Sequence, residues 1–147
     1  MVSHIRSGAA CALFLSAALL TGTGCGGSDA SPTAPSANVP FSQTDLRVGT
    51  GAEATAGRRA SVNYALWLYS TSAVDNKGQS IESGSFAFTL GNREAITGFD
   101  RGVTGMRVGG IRRLVVPPDL AYGAQGSPPR IPPNATLVFE VELTGVQ

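Results

Sequence analysis

The residues best suited to bond-making chemistry are few, and all lie at one end of the chain. The only histidine is His4, and the only cysteines are Cys11 and Cys25. From residue 26 onward there is no imidazole and no thiol, which excludes Ser-His-Asp triads, Cys-His dyads, His/Cys zinc sites and disulfides from that part. What it does hold is an aromatic set, Tyr64, Phe86, Phe88, Phe99, Tyr122 and Phe139, with carboxylates such as Glu82, Glu140 and Glu142. Such residues bind and shield rather than attack. A conformational reaction, which needs neither nucleophile nor proton transfer, suits this inventory. Taken singly, each aromatic is better explained as plain core, so the argument turns on the elements that could bring them together.

The chain has 147 residues, enough for one domain and a further segment. Hydrophobic residues make up 42% and charged residues only 14%. The net charge is +1, with no basic stripe and no acidic run, so nucleic acid is not an expected partner. Nineteen glycines and nine prolines foretell many turns.

Residues 1–8 carry Arg6 and no acid, and residues 9–20 (AACALFLSAALL) form an apolar run broken only by Ser16. That run is shorter than the roughly 20 residues that span a bilayer. A short apolar run behind a positive start is the pattern of a secretory signal, here residues 1–24. Cys25 follows small residues, as in a bacterial lipobox, and is the expected lipidation site; Gly22 stands where that pattern usually has an aliphatic residue, and ordinary signal cleavage to a free secreted or periplasmic protein is the alternative. Residues 25–43 then supply the Cys and a Gly/Ser/Pro-rich tether. The expected location is the cell envelope, at a membrane.

From Thr44 the pattern becomes regular. Val62, Tyr64, Leu66 and Leu68 alternate with Asn63, Ala65, Trp67 and Tyr69; Leu137, Phe139, Val141 and Leu143 do so with Val138, Glu140, Glu142 and Thr144. Both read as half-buried strands. Ile111–Val116 is a third strand, stopped by Pro117-Pro118, and Phe86 and Phe88 share one face of a short fourth ending at Gly91. Arg112-Arg113 reads as a solvated edge, and Glu140 and Glu142 as solvated strand residues. Ile96, Phe99, Val103 and Met106 fall at helical spacing, although Gly98, Gly102 and Gly105 each cost about 1 kcal/mol against Ala. Such a helix needs a sheet to hold it. The fold class is α+β, a twisted antiparallel sheet with one short helix.

Three motifs occur in order: GFDRGVTGMRVGGIRRLVV at 98–116, PPDLAYG at 117–123 and IPPNATLVFEVEL at 131–143. Over residues 44–147 the chain resembles the FKBP-type prolyl isomerases, immunophilins that bind rapamycin-like macrolides. The resemblance implies a sheet wrapped around a short helix and a pocket for proline-containing polypeptides, with no cofactor and no metal. It implies a catalytic set of Tyr64, Glu82, Ile96, Phe99, Tyr122 and Phe139, with Ile81, Phe86, Ala95, Ala121 and Ile131 contacting substrate. Tyr122 would donate its hydroxyl, and Ile96 its backbone N–H, to substrate carbonyls. Ile81 and Glu82 stand where the family usually has Phe-Asp, and Phe99 where it has Trp. The segment after Glu82 is short and the family's basic partner of the aspartate is missing, while the loop SAVDNKGQ before Ile81 is extended. A monomer is expected.

The implied reaction is rotation about an X–Pro amide, whose barrier of about 18–20 kcal/mol comes from C–N resonance. Resonance puts negative charge on the carbonyl oxygen and positive charge on nitrogen, and twisting removes that separation. An apolar pocket therefore favours the twisted amide, and each 1.36 kcal/mol of preferential binding gives about a factor of ten. The expected function is prolyl isomerisation that assists folding of exported proteins. The alternative is a catalytically weak chaperone or binding module on the same fold.

Overall fold

The computed structural model describes residues 39–147. The expected signal segment and Cys25 lie outside the described residues, as does most of the expected tether. The elements run β1 (Ser42–Arg47), β2 (Arg59–Tyr69), β3 (Lys77–Thr89), α1 (Thr97–Val103), β4 (Ile111–Val116) and β5 (Leu137–Val146). The strands form one antiparallel sheet in the order β1-β4-β5-β2-β3.

Parity fixes the faces. Val62 and Leu66 of β2, Phe88 of β3, Leu114 and Val116 of β4, and Leu137, Phe139, Val141 and Leu143 of β5 are buried on the side that receives α1. β1 is different, because all six of its side chains are exposed. Backbone pairing with β4, from Ser42↔Val115 to Arg47↔Ile111, recruits it rather than hydrophobic alternation. The strand therefore starts at Ser42, two residues before the periodic pattern. β3 likewise runs for 13 residues, longer than the short strand expected around Phe86 and Phe88. Its first half is small and polar and takes its strand form from pairing with β2, Tyr64 opposite Gly84 and Leu66 opposite Glu82.

The glycines of α1 explain how a poor helix former docks. A Cβ at Gly98 would collide with the side chain of Val116, and one at Gly102 with that of Leu114. Their absence lets the helix backbone settle directly on β4. The helix stops at Val103, before Met106: Gly105 turns the chain at φ 80°, and Met106 is buried from beyond the helix end.

Arg112 corrects the sequence reading. It is not a solvated edge residue but 8% exposed, on the same face as Leu114 and Val116. Its guanidinium pairs with Asp45 of β1 and donates to the carbonyls of Gly102 (2.9 Å) and Thr104 (3.3 Å), which terminate α1. A charge this buried persists only because those acceptors satisfy it. On the opposite face Arg113 bridges Glu140 (3.0 Å) and Asp75 (2.9 Å), and Lys77 pairs with Glu140 and stacks on Trp67, 4.7 Å from the ring centroid. Glu140 is thus half-buried and paired rather than solvated. Burial alone would raise its carboxyl, but hydrogen bonds from Lys77 and Arg113 outweigh that and lower it. Asp75 and Lys77 come from the extended SAVDNKGQ segment, which folds over this face.

Helix propensity and packing make opposite claims on Gly102→Ala. Propensity alone would stabilise by about 1 kcal/mol. Overpacking against a fully buried Leu114 costs about 1–3 kcal/mol or more. The expected outcome is a lower urea midpoint; a higher one would show that α1 does not need the close approach.

Candidate functional site

Between α1, the concave ends of β2, β3 and β5, and the loop after β4 lies a cleft of about 440 Å³. That is in the range of small-ligand sites, roughly 300–1,000 Å³. β2 supplies Tyr64 and Leu66, β3 supplies Glu82 and Phe86, the turn into α1 supplies Glu94, Ala95 and Ile96, the helix supplies Phe99, the loop Tyr122, and β5 Phe139. Glu82 faces the cleft because it has the parity of Phe86 and Phe88 on β3.

Three rings make the floor. Phe99 meets Tyr64 edge-on (centroids 6.0 Å, 81°) and Phe139 at 5.3 Å and 69°, and Tyr64 and Phe139 are 6.5 Å apart. Edge-to-face contacts of this kind add about 0.5–1.5 kcal/mol beyond area burial. Phe99 and Phe139 are each 4% exposed, so they serve core and cleft together. Phe86, stacked on Phe88 at 5.3 Å, is 38% exposed at the rim, and Tyr122 is 39% exposed opposite it.

The polar groups are few. The Tyr64 hydroxyl donates to Glu82 Oε1 at 2.9 Å. Burial pushes the Tyr64 phenol above its ordinary value, and the hydrogen bond to Glu82 and that carboxylate's charge push it further. Burial and the charge of Glu82 also raise Tyr122. Both phenols therefore remain neutral donors across the physiological range. Tyr64's hydroxyl is occupied by Glu82, whereas Tyr122's makes no hydrogen bond to another described residue. The backbone N–H of Ile96 likewise has no partner among the described residues, while its carbonyl accepts from Phe99 and Asp100. Glu94 is held below its usual value, first by the backbone N–H of Thr89 and then by Asn92.

Of the residues singled out from sequence, Tyr64, Glu82, Phe86, Ala95, Ile96, Phe99, Tyr122 and Phe139 come together on the lining. Ile81, Ala121 and Ile131 do not line it. Ile81 and Ala121 pack half-buried against the core, and Ile131 is itself core at 5% exposure. The sequence reading passed over Leu66, although its place in the β2 alternation offered it, and Glu94, a carboxylate beside the Ala95-Ile96 pair. The short segment after Glu82 holds no basic residue, but a cation reaches Glu82 from elsewhere in the chain. Arg130 Nη1 lies 3.5 Å from Glu82 Oε2, reaching it from the loop 48 residues further along the chain. No group of three or more His, Cys, Asp or Glu able to hold a metal occurs among the described residues.

If Glu82 holds the Tyr64 proton in place, Glu82→Gln brings the Tyr64 phenol partway back towards its ordinary value, since burial persists. Because the folded state binds that proton more tightly, its stabilising contribution is full below about pH 10 and lost as pH rises through the folded-state value. An absorbance titration of the phenols checks this: ionisation should begin at lower pH in Glu82→Gln. Coincident curves would contradict the contact.

The comparisons with known proteins agree with this fold. The model of the FKBP-type peptidyl-prolyl cis-trans isomerase family matches residues 51–144. An FK506-binding protein of Neisseria meningitidis is 41% identical over 102 residues, 69% of this chain and 92% of that protein. A 46 kDa FK506-binding nuclear protein of Spodoptera frugiperda is 49% identical over 104 residues, 70% of this chain, but the chain spans only 24% of that relative. The solved structure of a peptidyl-prolyl cis-trans isomerase from Pseudomonas syringae superposes with a TM-score of 0.62 at 33% identity, covering 73% of this chain and 75% of that one. A sheet of this order closed by one short helix over an aromatic cleft, together with a family match across most of the described residues, places the chain in the FKBP-type peptidyl-prolyl cis-trans isomerase family.

Proposed function

We propose that the cleft catalyses cis–trans isomerisation of X–Pro amides and that its substrates are exported proteins during folding. One observation carries the reading. An apolar floor of Tyr64, Phe99 and Phe139 sits beneath two donors without partners among the described residues, the Tyr122 hydroxyl and the Ile96 N–H. The prolyl ring packs on the floor and the flanking carbonyls take the donors. The amide between them is removed from water and twists at lower cost, because its planar form is the more polar one. No proton moves.

The ring floor also suits macrolides of the rapamycin class, which present an apolar ring and carbonyls to the same donors. Export rests on the apolar run at 9–20, and lipid anchoring at a membrane on Cys25. The tether beyond Cys25 would give a single domain reach to clients near that membrane.

Isomerisation of a short X-Pro-Phe peptide after a solvent jump tests the reading, with the full chain and two variants. Tyr122→Phe removes a donor and should lower kcat/KM about 2- to 10-fold. Phe99→Leu removes the central ring of the floor and should lower it by a similar factor. No turnover by well-folded wild-type protein would sink the enzyme and leave a peptide-binding module. The same assay should give a flat kcat/KM from about pH 7 to 9, because no imidazole or thiol follows residue 25 and both phenols keep their protons there. A bell-shaped profile in that window would mean that a proton transfer had been overlooked.

A further inference from the structure

The charged groups at the mouth of the cleft are unevenly matched. The lining carries two carboxylates, Glu82 and Glu94, and no cation. Left so, the mouth would repel an acidic side chain next to a substrate's proline. Glu94 stays charged on the lining but is held in place, accepting from Thr89 N–H at 3.2 Å and from Asn92, with Arg59 acting on it only at a distance. Glu82 is fixed by the Tyr64 hydroxyl on one oxygen and meets Arg130 on the other.

Arg130 is placed firmly but held loosely. Its backbone sits in a small bridge, with Ser127 N–H donating to the Ile131 carbonyl (2.9 Å) and Ile131 N–H to that of Ser127 (3.0 Å), next to the buried Ile131 side chain. Its own side chain is 66% exposed, and its contact with Glu82 is a single 3.5 Å hydrogen bond. A guanidinium has five N–H donors in a planar fork that matches a carboxylate. Only one of Arg130's donors bonds to a described residue.

We infer that Arg130 is a specificity-determining residue, presenting spare donors at the cleft mouth so that prolyl substrates with an acidic side chain next to the proline are preferred over basic ones. The inference rests on the isomerase reading and deepens it. A carboxylate flanking the proline takes the free side of the guanidinium without displacing Glu82, whose Tyr64 contact is untouched. A lysine at the same place gains only a Glu82 already engaged twice, and faces the guanidinium's like charge. Because the pair is exposed, the effect is modest and screened by salt.

The test compares Glu-Pro-Phe and Lys-Pro-Phe peptides at low salt, with the wild-type chain, Arg130→Lys, Arg130→Gln and Arg130→Glu. The readout is the ratio of kcat/KM for the Glu peptide to that for the Lys peptide, in which any general loss of activity cancels. The ratio should fall about 3-fold in Arg130→Gln and about 10-fold in Arg130→Glu. It should stay within about 2-fold of wild type in Arg130→Lys, and the differences should shrink in about 0.5 M salt. An unmoved ratio in Arg130→Glu would overturn the inference and leave Arg130 a tether for Glu82. If neither peptide is turned over, NMR titration of the same pair gives the ratio of affinities. A ratio that follows residue 130 upholds its role as the isomerase reading falls, and a flat one overturns both.

Discussion

The close approach of α1 to β4 is the constraint on which the cleft depends. Gly98 and Gly102 lie on one face of the helix and press its backbone onto Val116 and Leu114, where any Cβ would collide. Phe99, next to Gly98, is thereby driven between Phe139 of β5 and Tyr64 of β2. A helix held further from the sheet would lift Phe99 and dissolve the floor. Arg112 secures the other end of the same contact, tying the carbonyls of Gly102 and Thr104 to Asp45. An intrinsically poor helix is thus held by packing below and a buried cation at its end, and its low propensity is the cost of a short distance.

The polar chemistry of the site follows from how little of it there is. Two tyrosines stand on the lining with different duties. Tyr64 is locked to Glu82, so its ring is oriented and its hydroxyl spent. Tyr122, more exposed, makes no hydrogen bond to another described residue. Both stay protonated, by burial first and by Glu82 second. An apolar basin with a few donors suits the twisting amide proposed for it, a reaction that calls for no imidazole or thiol.

Much of this was legible in the sequence, for reasons specific to each segment. β2 and β5 announce themselves because one face of each is core and the other is polar or paired. The helix was visible through Ile96, Phe99 and Val103, although its end was not, since Met106 stays buried after the chain has turned at Gly105. Arg112 was misread because its charge outweighed its parity, and its partners are backbone carbonyls that no side-chain pattern reports. β1 and the first half of β3 carry almost no hydrophobic signal and exist through pairing alone. Within the site, residues carried by strand alternation were readable, whereas the contact of Glu82 with Arg130 joins segments that only the tertiary fold brings together.

The central claim is that a prolyl ring sits on the floor formed by Tyr64, Phe99 and Phe139. The most direct measurement is of intermolecular NOEs between the proline ring protons of a bound X-Pro-Phe peptide and the protein. The account predicts NOEs to the rings of Phe99, Phe139 and Tyr64, together with a shift of the Ile96 amide. NOEs confined to the opposite face, at Trp67 or Tyr69, would contradict it.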